Sequence, residues 1–400
     1  MTIKLANKNP LVASILSLCL VFVASSSYAK NHPEDNVIKA LVDIQQGNMS
    51  SAQQHLQPLL EHRPKFKLAH ILYADVMNAQ AGSTLNLNNI GNGGQTDLMG
   101  LFAEAKQRVK WNDVSESLAG KLPAALINPN KDHPFIVFAD LGLSRVFLFK
   151  QEKNGELNLQ HDFYASGGKQ GTRKQVRGDQ RTPLGVYHIT SRLEDAELED
   201  RYGPVAFPIN YPNQWDLLQQ RTGDGIWLHG VTSATYSRPP QDSDGCVALP
   251  NADIKVLDQF LAIGAPVIFG ENENWVDPNA RDIMRSELLK NIEAWRQDWE
   301  SRDPDNYLSH YASDFQSKSH NIESWSAYKR RVNGSKKFIK VDVGQPIIYG
   351  YPGEKDMVQV EFEQEYTSDN YKGRALKQQY WKKQPDGQWR ISYEGTIRKL

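Results

Sequence analysis

The hydrophobic period of this 400-residue chain changes near Phe135, and that change limits what the chain can fold into. Before it, apolar residues recur at three- and four-residue steps. Val37, Ala40, Leu41 and Ile44 form one set, and Ala52, Leu56, Leu59 and Leu60 resume it after a stop at Gly47-Asn48. Leu68, Ala69, Leu72 and Val76 follow Pro64. This spacing places an apolar stripe on each of a series of helices. From Phe135 onward the runs are short and alternating or continuously apolar: Phe135 to Ala139, Arg145 to Phe149, Asn158 to Tyr164, Gly185 to Thr190 and Ile226 to Leu228. Turn signals such as Lys153-Asn154-Gly155 separate them, as expected for strands. The chain is therefore expected to be a multidomain α+β protein, helical first and β-rich after, and its length suits two or three domains.

Residues 30–130 form the helical part of this division. The pattern over 35–78 reads as a helical hairpin and resembles a single tetratricopeptide-like unit. One unit cannot bury its own apolar face, so packing on the rest of the chain, or on a second copy as a homodimer, is expected. His55, His62 and His70 recur at seven and eight residues, two turns apart and too far for one ion, so they are read as surface residues. Residues 81–96, with Gly91-Asn92-Gly93-Gly94 at their centre, read as a loop. A helical stretch from Leu98 to Val109 and a Pro/Asn segment at 123–134 follow.

Residues 131–272 read as mostly β, a sandwich or barrel-like sheet flanked by one helix at 251–261 and closed by a strand from Pro266 to Phe269. Asn251 is the expected cap of that helix. The last segment, 281–400, opens with an amphipathic helix bearing Leu288, Ile292, Trp295 and Trp299. A short helix at 323–331 and strands at 337–349, 355–367, 373–384 and 388–397 come next. A helical start backed by a curved antiparallel sheet resembles the cone-shaped NTF2-like fold. Its aromatic residues (Trp325, Tyr349, Tyr351, Tyr366, Tyr380, Trp381 and Trp389) either line a pocket or pack the cone.

Residues 1–29 have the three parts of a cleaved export signal. These are a basic start at Lys4 and Lys8, an apolar run from Leu11 to Ala24, and small residues in Ser27-Tyr28-Ala29. No later stretch is apolar enough to cross a membrane, so a soluble periplasmic protein is expected after cleavage. Cleavage removes two lysines and no acids, moving the formal charge from −1 to −3. That balance offers no footprint for nucleic acid. Gly167-Gly168-Lys169-Gln170-Gly171-Thr172 lacks the order of a phosphate loop. With no HExxH, no paired cysteines and no close His/Asp cluster, neither a metal nor another cofactor is expected.

Cleavage also removes Cys19 and leaves Cys246 as the one cysteine, an unusual state for an exported chain. Cys246 ends the string Ser243-Asp244-Gly245-Cys246, seventeen residues after His229. A thiol attacks acyl groups as the thiolate, so it needs a neighbour that lowers its pKa or removes its proton. His229, at the end of a β-run and followed by Gly230, is the candidate general base. The helix expected from Asn251 would favour an anion nearby. The amides of Gly245 and Cys246 are candidate oxyanion donors.

The string His229-Gly230-x12-Ser243-x-Gly245-Cys246 resembles the signature of the L,D-transpeptidase family, the YkuD domain. So do Gly178-Asp179-x2-Thr182-Pro183-x-Gly185-x-Tyr187, Tyr202-Gly203-Pro204-x-Ala206-Phe207, Tyr211-Pro212-Asn213 and Gly264-Ala265-Pro266-Val267. The resemblance spans roughly 133–270. It implies an enzyme acting on peptidoglycan tetrapeptide stems: Cys246 attacks the diaminopimelate carbonyl, D-alanine leaves, and the acyl group passes to an amine. It makes Cys246 the nucleophile and His229 the base, with Ser243 and Gly245 shaping the turn. Gly230, Tyr211, Arg173, Arg177 and Asp244 are candidate substrate contacts, as is Lys174. Two positions depart from the family pattern. Asp244 stands where histidine is common, and Ala248-Leu249 stand where Arg or Asn is. The second departure weakens the case for an acceptor stem. The order of helical region, catalytic domain and NTF2-like domain also resembles a branch containing cell-shape L,D-carboxypeptidases, in which water takes the acyl group. A third reading is a wall-binding scaffold with an unreactive thiol.

Overall fold

A computed structural model describes residues 32–83 and 92–400. The export-signal expectation, with Cys19, lies outside these residues, as do residues 84–91 of the loop expected at 81–96, whose last residues, 92–96, are helical instead.

Helices α1 (Pro33–Gln45), α2 (Met49–His62) and α3 (Lys67–Gln80) follow the apolar spacing, and Gly47 supplies the positive φ of +79° that turns α1 into α2. Val37, Ala40, Leu56, Leu59, Leu68 and Val76 are buried in one cluster, which also takes in Tyr236 from the β-rich segment. The apolar face is thus covered within the chain, by α4 (Asn92–Leu118) and by that tyrosine. The 27-residue α4 overruns the stretch expected from Leu98 to Val109 at both ends. Its inner face carries buried Glu104 and Arg108 beside Leu98, Leu101, Ala105 and Val109, so an apolar stripe understates it.

Those charges form a dry ion network. Glu34 of α1 accepts from Arg108 at 2.6 Å and from Arg145 at 2.6 Å, and Arg108 also reaches Glu104 at 2.7 Å. Burial pushes the Glu34 carboxyl up, but Arg145 and Arg108 outweigh it and hold it below its ordinary value. His32 adds a 3.0 Å contact to buried Asp253. Breaking such a network on one side strands a buried charge, at a cost of roughly 3–5 kcal/mol.

Beyond β1 (Leu122–Pro123) come β2 (Phe135–Asp140), β3 (Arg145–Gln151), β4 (Leu157–Tyr164), β5 (Gly167–Gly168) and β6 (Gly185–His188). They are followed by β7 (Leu193–Glu194), β8 (Val205–Pro208), α5 (Gln214–Leu218), β9 (Trp227–His229), β10 (Gln241–Ser243) and β11 (Val247–Ala248). Helix α6 (Asn251–Asp258), β12 (Pro266–Gly270) and β13 (Trp275–Val276) complete the segment. One sheet runs β4-β3-β2-β12-β6, and a smaller one runs β11-β9-β8-β7. Val137, Val146, Phe207, Leu228, Val247, Ile254 and Val267 close a core between the sheets and α6. Strand β8, absent from the expectation, is only four residues long and so carries little periodic signal.

The C-terminal part contains α7 (Pro278–Ser301), α8 (Pro304–Ser309), β14 (Tyr311–Gln316), α9 (Ile322–Gly334), β15 (Ile339–Val343), β16 (Ile347–Gly350), β17 (Met357–Ser368), β18 (Lys372–Lys383) and β19 (Trp389–Lys399). Its sheet runs β14-β19-β18-β17-β15, with β16 also on β17. The strand expected at 337–349 is two strands, because Gly344-Gln345-Pro346 interrupts the ladder where proline lacks an N–H. Helices α7 and α9 cover this curved sheet, the cone of an NTF2-like domain. The chain is therefore a mixed helix and sheet protein of N-terminal helices, a β-rich middle domain and an NTF2-like cone.

Trp325, Trp381 and Trp389 pack with Trp295 and Trp299 in the cone, while Tyr349, Tyr351 and Tyr380 face the middle domain. Lys329 of α9 lies buried among these rings, its Nζ 4.3 Å from the Trp299 centroid and 4.5 Å from that of Trp325. Polar bridges cross to the middle domain: Asn213 Nδ2 donates to Tyr351 Oη at 2.8 Å, Trp215 Nε1 donates to Glu354 at 2.9 Å, and Arg221 joins Asp216 at 3.0 Å to Glu354 at 2.9 Å.

Candidate active site

The parallel β9–β11 ladder brings His229 and Cys246 to one place. Val247 lies opposite Leu228 and Ala248 opposite His229, so Cys246, one residue before β11, lies level with Trp227. Side chains alternate along a strand and paired residues share a face. Leu228 and Val247 point into the core. Trp227, His229 and Cys246 therefore share the other face. The Tyr202 ring covers it, 4.7 Å from Trp227 and edge-on to His229 at 5.2 Å.

His229 is buried, and its Nδ1–H donates to the Gly230 carbonyl at 2.6 Å. A carbonyl only accepts, so the proton sits on Nδ1 and the lone pair is on Nε2. Sequence alone left this orienting partner open. Burial pushes the imidazole down to about 4, against the Gly230 bond, and the charges of Arg238 and Arg201 add to the effect. The ring is neutral at physiological pH.

Cys246 is half-buried and its Sγ–H donates to the Gly225 carbonyl at 3.4 Å, not to His229. Burial pushes the thiol up to about 11, although the Trp227 backbone N–H favours the thiolate. The expected help from a helix is absent. Helix α6 begins at Asn251 beyond β11, and the dipole fades within one turn. Asn251 does not cap α6 either, since Pro250 holds the cap position. Its Oδ1 instead accepts from the Val231 N–H at 2.7 Å, and a Cβ on Gly230 or Gly203 would come within 2.3 Å or 2.4 Å of that oxygen. Asn251 thus braces the turn that follows His229.

Ser243 and Gly245 build the turn that leads into Cys246. Ser243 Oγ accepts from the Gly245 N–H at 3.1 Å and donates to the Cys246 carbonyl at 2.6 Å. Gly245 has φ +126°, and a Cβ there would lie 2.8 Å from the Arg181 carbonyl. Because its amide is taken by Ser243, Gly245 is not the oxyanion donor expected of it. The Cys246 N–H is the remaining donor of that pair.

The other candidates are placed elsewhere. Tyr211 is buried in the core with its hydroxyl on the Thr222 carbonyl at 3.2 Å, so it presents nothing to a substrate. Arg173 reaches the Gly353 carbonyl of the NTF2-like part at 3.1 Å, Lys174 pairs with Asp179 at 2.7 Å, and Arg177 pairs with Asp224. Asp244 is exposed, holding Lys169 at 3.1 Å and Gln180 at 3.0 Å. Gly230 contributes its carbonyl to His229. Sequence reasoning missed Trp227, Tyr202 as the cover of His229, and Arg238. The signal for the first was available, since Trp227 is two residues from His229 and must share its face. Among the described residues, no group of three His, Cys, Asp or Glu side chains could hold a metal ion.

Among the described residues the one thiol and a buried imidazole thus share one face of a small parallel ladder, with a glycine turn before the thiol. Residues 134–269 match the L,D-transpeptidase catalytic domain, YkuD. Residues 287–395 match the Cds6 C-terminal NTF2-like domain. The chain thus carries an L,D-transpeptidase catalytic domain, of a family of generally cysteine-dependent peptidoglycan enzymes, followed by an NTF2-like domain. No curated protein matches it in sequence. Among solved structures it is similar to Bd1075 of Bdellovibrio bacteriovorus, with 28% identity, 69% of this chain and 98% of that chain covered, and a TM-score of 0.60. It also shares the fold of the helical cell shape determining protein Pgp2 from Campylobacter jejuni, with 24% identity, 71% and 98% coverage, and a TM-score of 0.59.

Proposed function

We propose that this chain is an exported, periplasmic peptidoglycan enzyme in which Cys246 is acylated by tetrapeptide stems. The observation that carries this reading is the shared face of His229 and Cys246, outside the core and under Tyr202. With the imidazole near 4 and the thiol near 11, the resting pair is uncharged. Proton transfer therefore accompanies bond formation. As Sγ bonds to the diaminopimelate carbonyl carbon, His229 Nε2 takes the thiol proton, and the Cys246 N–H faces the developing oxyanion. The imidazolium then protonates the departing D-alanine nitrogen as the peptide bond breaks. The thioester next passes its acyl group to an amine, and the thiol is restored.

Hydrolysis is the second reading, and one observation favours it. Ala248 and Leu249 are fully packed apolar residues where a basic or amide side chain would hold an acceptor stem, which leaves water as the acceptor. The cell-shape role of Pgp2 supports shape control as the biological setting. Export is supported by the signal-like residues 1–29, and no described helix is long and apolar enough to cross a membrane.

The test is incubation of the purified protein with disaccharide-tetrapeptides, read by mass spectrometry. A 3-3 linked dimer means transpeptidation and free tripeptide means hydrolysis; no product at all leaves the wall-binding scaffold. Cys246→Ala should abolish D-alanine release, and retained release would remove the thiol from the mechanism.

A further inference from the structure

The peptide stem is acidic, and the cations expected to meet it are engaged elsewhere. Arg173, Lys174 and Arg177 have the partners given above, Lys169 holds Asp244, and Arg201 holds Glu199 at 3.1 Å. Arg181 is fixed on the Thr172 carbonyl at 3.1 Å. Arg238 differs from these. It lies on the loop between the base and the nucleophile, half-buried, and among the described residues no carboxylate pairs with it. Its guanidinium makes two long contacts, to the Asp242 carbonyl at 3.4 Å and to the Arg201 carbonyl at 3.3 Å. The first oxygen belongs to β10, which runs into the Ser243–Cys246 turn. The second adjoins Tyr202, the cover of His229. Arg238 therefore spans the gap between the two halves of the site.

Its backbone is held from outside the catalytic domain as well as from within. Tyr164 Oη donates to the Arg238 carbonyl at 2.9 Å, and Ser237 Oγ donates to Glu104 of α4 at 2.7 Å. The Tyr236 N–H donates to the Lys65 carbonyl at 3.2 Å, and the Tyr236 ring packs on Phe66 at a 35° tilt with centroids 4.4 Å apart. A guanidinium offers five donors in a planar fork that suits a carboxylate, and here the fork is preorganised with most of that capacity unspent.

We propose that Arg238 binds a carboxylate of the peptide substrate beside Cys246, an inference that rests on the peptide acyl-transfer reading above. Two carboxylates of a tetrapeptide stem fit this chemistry: that of the terminal D-alanine and the side-chain carboxylate of diaminopimelate. The experiment compares wild type, Arg238→Gln and Arg238→Lys on three tetrapeptides: the free acid, the D-alanyl amide and the diaminopimelyl amide. D-alanine (or its amide) release gives kcat and KM. Wild type should lose roughly 10- to 100-fold in kcat/KM on whichever amide removes the bound carboxylate. Arg238→Gln should lose a similar factor on the acid, mostly in KM, and no longer distinguish acid from that amide. Arg238→Lys should recover part of the preference. Arg238→Gln that keeps the wild-type preference for the acid overturns the proposal.

A second arm titrates the same peptides into Cys246→Ala with and without Arg238→Gln. There the acid should bind roughly tenfold or more weakly once Arg238 is gone. No turnover by wild type together with Arg238-dependent acid binding removes the function and leaves the carboxylate site standing. Acid binding indifferent to Arg238 removes the site.

Discussion

Asn251→Ser separates two roles that the same residue could play. Serine caps helices about as well as asparagine, so a capping role would make the change nearly neutral, within a few tenths of a kcal/mol. The structure gives Asn251 a different task, in which its Oδ1 reaches across to the Val231 N–H at 2.7 Å. Serine is too short to span that gap. A buried amide left without an acceptor costs about 1–3 kcal/mol, and that range is the expected loss. Asn251→Asp keeps the acceptor oxygen and should stay near wild type at neutral pH. The readouts are the urea midpoint and deuterium uptake by the peptide containing Val231, which should rise in Asn251→Ser alone. Because Gly230, whose carbonyl orients His229, adjoins Val231, kcat for D-alanine release should also fall, by roughly tenfold, through a misplaced ring. Stability, exchange and kcat all unchanged in Asn251→Ser would refute the brace.

Alkylation and stability supply two further tests. With burial pushing the thiol to about 11, iodoacetamide should modify resting Cys246 on the order of a hundredfold more slowly than free cysteine at pH 7, so D-alanine release and not resting thiol reactivity separates enzyme from scaffold. The rate should climb with pH until about 11; fast, pH-independent alkylation between pH 5 and 9 would instead reveal a thiolate–imidazolium pair. Burial also pushes the Lys329 amine down to about 8 from an ordinary 10.5. Below pH 8 both folded and unfolded amines are charged and the folded state bears the whole penalty. The penalty is relieved as pH rises through 8 toward 10.5. Lys329→Met should therefore stabilise the chain by on the order of 2–3 kcal/mol at pH 7 and by little above pH 10.5, read from urea midpoints. A loss of stability at pH 7 would mean that Glu394, with the rings of Trp299 and Trp325, favours the cation more than burial opposes it.

Much of the architecture was legible because the apolar period differs between its parts. The faces of α1 to α3 and the five principal strands of the middle domain follow directly from that period. Short elements such as β8 were not legible, and neither was α4 in full, because its buried face mixes Glu104 and Arg108 with its aliphatic residues. In the site, His229 and Cys246 stood out through their glycine neighbours. The partners of Arg173, Lys174 and Arg177 could not be read, because each is distant in sequence or set by a local turn. Asn251 misled for a related reason: its position suits a cap, but its hydrogen bond goes to Val231, twenty residues earlier.

The contacts of the 230–243 loop bear on where the catalytic-domain fold draws its support. A fragment cut to the recognised catalytic segment, 134–269, would contain His229, Arg238 and Cys246. It would leave the Tyr236 ring without Phe66, and the Ser237 hydroxyl without Glu104. The heritable working unit is therefore larger than the recognisable one. Substitutions in α3, α4 and that loop should be constrained jointly, and transplanting this catalytic segment onto another scaffold would need Lys65, Phe66 and Glu104 to travel with it.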